Sequence, residues 1–510
     1  MLTCFEPLEA LSASQAPLQA LFQHAAERPN AIALIADGDV WSYHRLAGEV
    51  VRLSNGFKRE GVEPGDRIVM QVRTSPLYAV FLFAAMMSGA IMVPLKTEFT
   101  ARELEEFLGW LRPRLFIHEA DLQSAIAQLD DAVLARTRTF NSTNWHTLLG
   151  EGSAQTATVP ADIDSTCLLL ATSGTTGMPK LVAYNQRAIA HVVGALGGWK
   201  LDLDACTLGS TPVAHVSGSF VLMATIIKGC QEVMFSRFDA DRVLDAIEQE
   251  GGSMLFVAPF ICLPLVEAQR KRPRDLSSLK VCGIGGDACR PTVAETFQST
   301  FDLRLNNTYG LTECLGSMAF GSAWDTLMAV PGRARLVDAN GVVVEPGEVG
   351  ELQMCGPNLS LGYWTGPGDI ISHSRDGWFA SGDLMRQEPN GEFRFVGRSK
   401  DQIVCFTDKI SPVEVENQLI LHPAIADAAV AGAPDCAAGQ RVVVLVKLEQ
   451  DAADTTADEL LAWLRTRLAP FKLPQRIVLS QTIPRNALGK VDRNEVVRIA
   501  LQEELSYSQK

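Results

Sequence analysis

Residues 168–180 read Leu168-Leu169-Leu170-Ala171-Thr172-Ser173-Gly174-Thr175-Thr176-Gly177-Met178-Pro179-Lys180, an apolar run that enters a loop of hydroxyls and glycines and ends in a lysine. These residue types suit a phosphate. Gly174 and Gly177 let backbone N–H groups approach phosphate oxygens, Thr172, Ser173, Thr175 and Thr176 supply neutral donors, and Lys180 adds a positive charge. The loop is not a Walker A motif, because Pro179 precedes the lysine and Leu181 follows it where a hydroxyl would hold Mg²⁺. A polar turn between two strands has the same composition, so this loop alone does not decide a function.

Four further stretches follow in order: Tyr309-Gly310-Leu311-Thr312-Glu313, Gly377-Trp378-Phe379-Ala380-Ser381-Gly382-Asp383, Gly397-Arg398-Ser399-Lys400-Asp401, and Pro484-Arg485-Asn486-Ala487-Leu488-Gly489-Lys490. Together with the loop they resemble the motif series of the adenylate-forming superfamily, which includes acyl-CoA and aryl-CoA synthetases, nonribosomal-peptide adenylation domains and beetle luciferases. Trp41-Ser42-Tyr43 and Gly89-Ala90-Ile91-Met92-Val93-Pro94-Leu95 extend the resemblance towards the N-terminus. It covers most of the chain.

The resemblance implies that ATP activates a carboxylic acid as acyl-AMP with release of pyrophosphate, and that the acyl group then passes to coenzyme A. Bringing two anions together makes such catalysis mostly positioning and charge stabilisation. By the resemblance, Glu313 helps hold Mg²⁺, Thr312 touches the α-phosphate and Tyr309 stacks on adenine. Asp383 accepts hydrogen bonds from the ribose, and Arg398 supports the same sugar. Lys490 bridges the substrate carboxylate and the α-phosphate, and Lys400 occupies the hinge position. Taken singly, Glu313 reads as a solvated turn acid, Tyr309 as a core aromatic and Lys490 as a solvated lysine.

His215, in Pro212-Val213-Ala214-His215-Val216-Ser217-Gly218, resembles the superfamily histidine beside the acyl carboxylate; alone it reads as a satisfied core histidine. Peptide-synthetase domains place an aspartate in this region, and none occurs between Ala214 and Ile227, which disfavours an amino-acid substrate. Ser217, Ser219, Gly283, Gly310 and Gly316 are expected around the acyl pocket. The stretch Gly283-Ile284-Gly285-Gly286-Asp287-Ala288 also fits a dinucleotide fingerprint, but Pro291 starts the next helix beyond the glycines, which tells against that reading; by the resemblance, Gly285, Gly286 and Asp287 lie near the adenine. Phe406-Thr407 departs from the superfamily pattern, which has a glycine there along the pantetheine path; threonine fills that space and restricts φ. Transfer of the acyl group to an acyl carrier protein or a separate thiolation partner therefore stands beside transfer to free CoA. A non-catalytic nucleotide-binding relative is the reading from another class, and the presence of Lys490, Glu313 and Asp383 opposes it.

The elements that must position these residues are those of an α/β protein. A chain of 510 residues exceeds one compact core. Apolar runs at 31–35, 67–72, 254–257 and 280–282 alternate with amphipathic stretches, which predicts a large layered domain of β-sheets flanked by helices, with a β-rich subdomain at 342–364. Charge density rises after Gly397, and a small mobile α+β domain is expected there, giving domains 1–398 and 399–510. Ser411 with Glu414, and Thr456 with Glu459, predict capped helices, and Leu460, Leu464 and Leu468 the apolar face of the second. With Lys180 in one domain and Lys490 in the other, the resemblance implies domain rotation during turnover.

A net charge of −14 opposes nucleic-acid or anionic-membrane partners. The eleven cysteines show no C-x-x-C pair or zinc spacing, and the acidic N-terminus and Ser508-Gln509-Lys510 carry no recognised targeting signal, so a cytoplasmic monomer or homodimer is expected. Leu77–Leu95 is long enough to span a bilayer, yet Pro76, Gly89 and Pro94 divide it into a buried helix and a buried strand.

Overall fold

In a computed structural model of the chain, the described residues are 16–152, 160, 162–172, 180–194, 202–286, 289, 291–315, 319–321, 323–329, 332–405, 408–435, 439–468, 470–486 and 489–507. The chain forms two compact units. The first comprises Met1–Gly286, Glu295–Trp324 and Cys355–Phe379; the second comprises Asp287–Ala294, Asp325–Met354 and Ala380–Lys510. The second unit thus takes in more of the chain than the residues after 398.

Two sheets of the first unit place its candidate residues. In one, the strands Leu305–Tyr309, Val281–Gly285, Met254–Val257, Cys206–Gly209, Gln231–Met234 and Ile32–Ala36 are parallel neighbours in that order, with Asp39–Ser42 antiparallel beside the last. In the other, Arg138–Asn141, Leu115–His118, Arg67–Gln71, Ile91–Pro94 and Thr166–Ala171 are parallel, and Leu181–Asn185, Gly362–Gly366 and Asp369–Ile371 continue it antiparallel. Parallel strands covered on both faces need apolar residues at consecutive positions, which is why Leu168, Leu169 and Leu170 are all buried.

The segment at 77–95 resolves as its prolines and glycine dictate. Pro76–Ser88 is a helix whose residues Pro76 to Met86 are all buried, Gly89 ends it in the left-handed region at φ 72°, and Ile91–Pro94 is an inner strand. Thirteen residues rise only about 20 Å, short of a bilayer's hydrocarbon core. Among the described residues no helix is long and apolar enough to cross a membrane.

In the second unit, Ala334–Val337, Val349–Met354, Trp378–Gln387 and Phe393–Arg398 make a meandering sheet. A further sheet pairs Ile425–Asp435 with Gly439–Leu448 and adds Arg476–Leu479 in parallel. Side chains alternate across these strands. Val430, Val442 and Val444 pack with Val415, Leu419, Leu460 and Leu464 on one face, while Ala429, Ala431, Val443 and Leu445 pack with Val496 and Ala500 on the other. Thr456 and Glu459 form the expected reciprocal cap. Ser411 caps Pro412–Ile420, but Glu414 pairs with Lys472 at 2.6 Å rather than closing a box, because a nearby ammonium attracts the carboxylate more strongly than a neutral N–H. Leu468 lies beyond the helix Ala457–Arg465, yet it is buried in the same cluster as Leu460 and Leu464.

Candidate active site

The phosphate-type loop hangs between two strands. Thr166–Ala171 and Leu181–Asn185 pair antiparallel with Ala171 opposite Leu181, and the Thr172 N–H donates to the Lys180 carbonyl at 2.9 Å, so the two feet of the loop are locked together. Ser173, Gly174, Thr175, Thr176 and Gly177 lie outside the described residues. Leu181, which follows the lysine, is fully buried opposite Trp364, so it serves the core of the sheet.

Lys180 is exposed, and its ammonium stands 4.4 Å from the centroid of the Tyr363 ring, within cation–π range. The Tyr363 hydroxyl donates to Glu313 Oε1 at 2.8 Å. Burial, reinforced by the Glu313 charge, pushes the Tyr363 phenol well above its ordinary value, so it is a donor throughout the neutral range. The stretch 312–314 is one 3-10 turn beyond the strand Leu305–Tyr309. Fully buried Tyr184 fixes it by donating to the Thr312 carbonyl at 2.7 Å and accepting from the Leu315 N–H. The Ser360 N–H donates to the Glu313 carbonyl at 2.8 Å, and the Ser360 hydroxyl meets the His373 imidazole, whose pKa burial lowers to about 4. Thr312 and Glu313 are therefore held by backbone contacts on both sides.

The glycines after Val281 have different reasons. A Cβ on Gly285 would lie 2.2 Å from the Thr308 hydroxyl and 2.4 Å from its carbonyl oxygen, so no other residue fits beside that strand. Gly286 has open space but a φ of +86°, which turns the chain out of the sheet. The next helix begins at Pro291, beyond these glycines, as expected. Asp287 lies outside the described residues.

His215 is the N-cap of the helix Val216–Lys228; its Nδ1 accepts from the Ser217 N–H at 3.4 Å and lies 2.8 Å from the Ser217 hydroxyl. Ser217 thus orients the imidazole. Ser219 is fully buried; its hydroxyl donates to the Val213 carbonyl at 2.6 Å, and the Tyr78 hydroxyl lies 2.9 Å away. Gly283 is buried in its strand, Gly310 follows Tyr309 at the strand end, and Gly316 lies outside the described residues.

In the second unit, Asp383 and Arg398 are cross-strand partners with Nε 3.1 Å from Oδ1. Gly382, at φ +74°, turns the strand; its N–H donates to Glu351 Oε1 at 3.0 Å, and the Asp383 N–H donates to the Ser381 hydroxyl at 3.0 Å. Lys400 is exposed in the 3-10 turn Ser399–Asp401. Lys490 closes a tight turn in which Asn486 N–H donates to the Lys490 carbonyl at 2.8 Å, and Lys490 N–H to Asn486 Oδ1 at 3.1 Å. Arg485 braces that turn, donating to the Gly489 carbonyl at 2.9 Å while pairing with Asp427 at 2.9 Å.

Two sequence patterns match this chain: that of the AMP-binding enzymes over residues 21–364, and that of their C-terminal domain over 414–490. The chain belongs to the AMP-binding enzymes. It is 33% identical to a feruloyl-CoA synthase from an Amycolatopsis species, with 93% of this chain and 97% of the relative covered. It is 30% identical to an indoleacetate–CoA ligase from Aromatoleum aromaticum, with 94% and 97% covered. The solved structure of ATP-bound MatB from Rhodopseudomonas palustris shares the fold, with a TM-score of 0.87 at 24% identity over 95% of this chain and 98% of that one.

In this AMP-binding enzyme, Thr172, Lys180, Thr312 and Glu313 are tied together through Tyr184 and Tyr363, two residues the sequence reading missed. Their signal was faint. Each tyrosine sits in a strand whose apolar neighbours read as core, and only the pairing of Gly362–Gly366 with Leu181–Asn185 brings the second ring beside Lys180.

Proposed function

We propose that this AMP-binding enzyme is an AMP-forming acid–thiol ligase, an acyl-CoA synthetase that converts a non-amino-acid carboxylic acid to acyl-AMP and pyrophosphate and then to its CoA thioester. One observation carries the geometry: an ammonium and a carboxylate, Lys180 and Glu313, are held at the face and the tip of a single ring. That arrangement suits a polyphosphate and its counter-cation. Full-length similarity to ligases named for ferulate and indoleacetate supports an aromatic acid as substrate.

Mg²⁺ is tested by the donor set. Among the described residues no three His, Cys, Asp or Glu side chains come together as a metal cage. Magnesium bound largely through substrate phosphates needs only one or two protein carboxylates, and Glu313 fits that need. When bound, the ion offsets charge on the phosphates. The chain's own groups do the rest: the loop and Lys180 bind the triphosphate, Tyr309 and Gly286 border the adenine, Asp383 and Arg398 hold the ribose, His215 faces the acyl carboxylate, and Lys490 stabilises the charge that develops as the carboxylate attacks the α-phosphate. Lys400 acts as the hinge at the junction of residues 1–398 and 399–510. A cytoplasmic location accords with eleven cysteines that show no C-x-x-C pair.

A second reading rests on Phe406-Thr407: the acyl group passes to a carrier protein or a separate thiolation partner rather than to free CoA. ATP–pyrophosphate exchange across aliphatic, aromatic and polycyclic acids tests the proposal, with exchange expected for aromatic acids. No exchange with any acid would refute it.

A further inference from the structure

Lys180 and Glu313 carry opposite charges at one site, and each meets Tyr363, the ammonium at the ring face and the carboxylate at the hydroxyl. A direct pair would quench both groups and leave neither for a ligand. The ring of Tyr363 stands in the way. Its face takes the Lys180 ammonium at 4.4 Å and its hydroxyl takes Glu313 Oε1 at 2.8 Å.

The ring has a rigid mount. Tyr363 occupies the middle of three antiparallel strands, opposite Val182 on one side and Ile371 on the other. Gly362 fixes the strand beside it, since a Cβ there would meet the Ile371 carbonyl oxygen at 2.3 Å. His373 packs edge-to-face on the ring with centroids 5.4 Å apart. A phenol fixed in this way confines the Glu313 carboxylate to one rotamer through a charge-assisted bond. The cation over the ring polarises the phenol and strengthens that bond.

We propose that Tyr363 is a positioning residue for the nucleotide: it keeps Lys180 and Glu313 apart and presents both, the ammonium to phosphate oxygens and the carboxylate to the metal that accompanies them. The inference rests on the reading of Glu313 as the metal carboxylate. It assigns separable tasks to the two parts of one side chain. The hydroxyl governs the metal-dependent part of ATP binding, and the ring governs the part that needs only Lys180.

Calorimetric titration with ATP in excess Mg²⁺, and with ATP in EDTA, tests this on the purified full chain. Tyr363→Phe keeps the ring and its packing, so its melting temperature should match the wild type. It is expected to lose about tenfold in affinity for ATP with Mg²⁺, the usual cost of removing a partner that orients a metal ligand, while affinity in EDTA stays within about twofold. Tyr363→Leu should lose affinity under both conditions. Unchanged Mg²⁺-dependent affinity in Tyr363→Phe, or an equal loss in EDTA, would overturn the proposal. Glu313→Gln, titrated in parallel, separates the two levels. If it loses the Mg²⁺-dependent affinity while Tyr363→Phe does not, only the positioning role is refuted. If Glu313→Gln itself keeps that affinity, the metal role of Glu313 is refuted, and the inference with it.

Discussion

Asp383 and Arg398 face each other across one antiparallel pair of strands, with the arginine Nε 3.1 Å from the aspartate Oδ1 and the aspartate side chain only 4% exposed. A carboxylate this buried needs a counter-charge, and the strand register supplies it without a loop. Asp383→Asn keeps the shape and removes the charge. It should cost roughly 1–2 kcal/mol of stability and raise the ATP requirement about tenfold, as loss of a charged hydrogen-bond acceptor predicts. Thermal melts and ATP titration check both, and an unchanged ATP requirement would remove Asp383 from the ribose site.

Lys490 is set by its turn rather than by a helix or strand. Lys490→Ala should remove adenylation while leaving the fold intact, because a loop lysine contributes little to packing. A loss below about tenfold, or 1.4 kcal/mol of barrier, would contradict its role. Arg485→Met, which cuts the brace from Asp427 to the Gly489 carbonyl, should impair adenylation yet spare thioester formation from supplied acyl-AMP. Equal damage to both half-reactions would show a merely structural brace.

Lys400 is exposed in a single 3-10 turn, where a backbone change costs few contacts. Lys400→Pro fixes φ there. Thioester formation should slow more than adenylation if the chain must rotate at this point between half-reactions. Separate single-turnover measurements decide it, and equal losses would argue against a hinge.

Glu232 lies outside the proposed chemistry but governs stability. It is fully buried, and burial, offset only in part by the Thr225 hydroxyl, raises its pKa to about 8. Unfolding lets it ionise at an ordinary carboxylate pKa, so the folded state binds the extra proton between those two values. Stability should therefore be greatest below pH 4.5 from this group, fall as pH rises to about 8, and stay level beyond. Glu232→Gln should flatten that slope and stabilise the protein at pH 8 by a few kcal/mol, as a shift of this order implies. Identical pH–stability curves for the two proteins would contradict this.

Much of the fold was legible because its signals are local. Three consecutive leucines before Thr172 read as an inner strand, and Gly89 and Pro94 divided an apolar segment into helix and strand. The motif residues were legible as types in sequence order. Their supports were not. Tyr363 lies 183 residues from Lys180 in the chain, and only the sheet order that places Gly362–Gly366 beside Leu181–Asn185 brings them together. The partners of Ser219 were hidden for a similar reason: its hydroxyl meets Val213 and Tyr78, contacts that only the tertiary structure brings together. Glu414 likewise reads as half of a capping box until a distant lysine, Lys472, claims it.

Thr407 bears on which thiol is used. If its branched side chain narrows the pantetheine path, acyl-AMP should form readily and transfer slowly to free CoA, and Thr407→Gly should accelerate only that second step. Rapid wild-type transfer, unchanged by Thr407→Gly, would show that the threonine is accommodated.

The central claim is that this chain is an AMP-forming acid–thiol ligase. Its most direct test is product quantification after incubating the enzyme with ATP, Mg²⁺, CoA and an aromatic acid such as ferulate or indoleacetate. The account predicts AMP, pyrophosphate and acyl-CoA in equal amounts, with acyl-AMP accumulating when CoA is withheld. Formation of ADP and phosphate, or ATP left intact with every acid supplied, would contradict it.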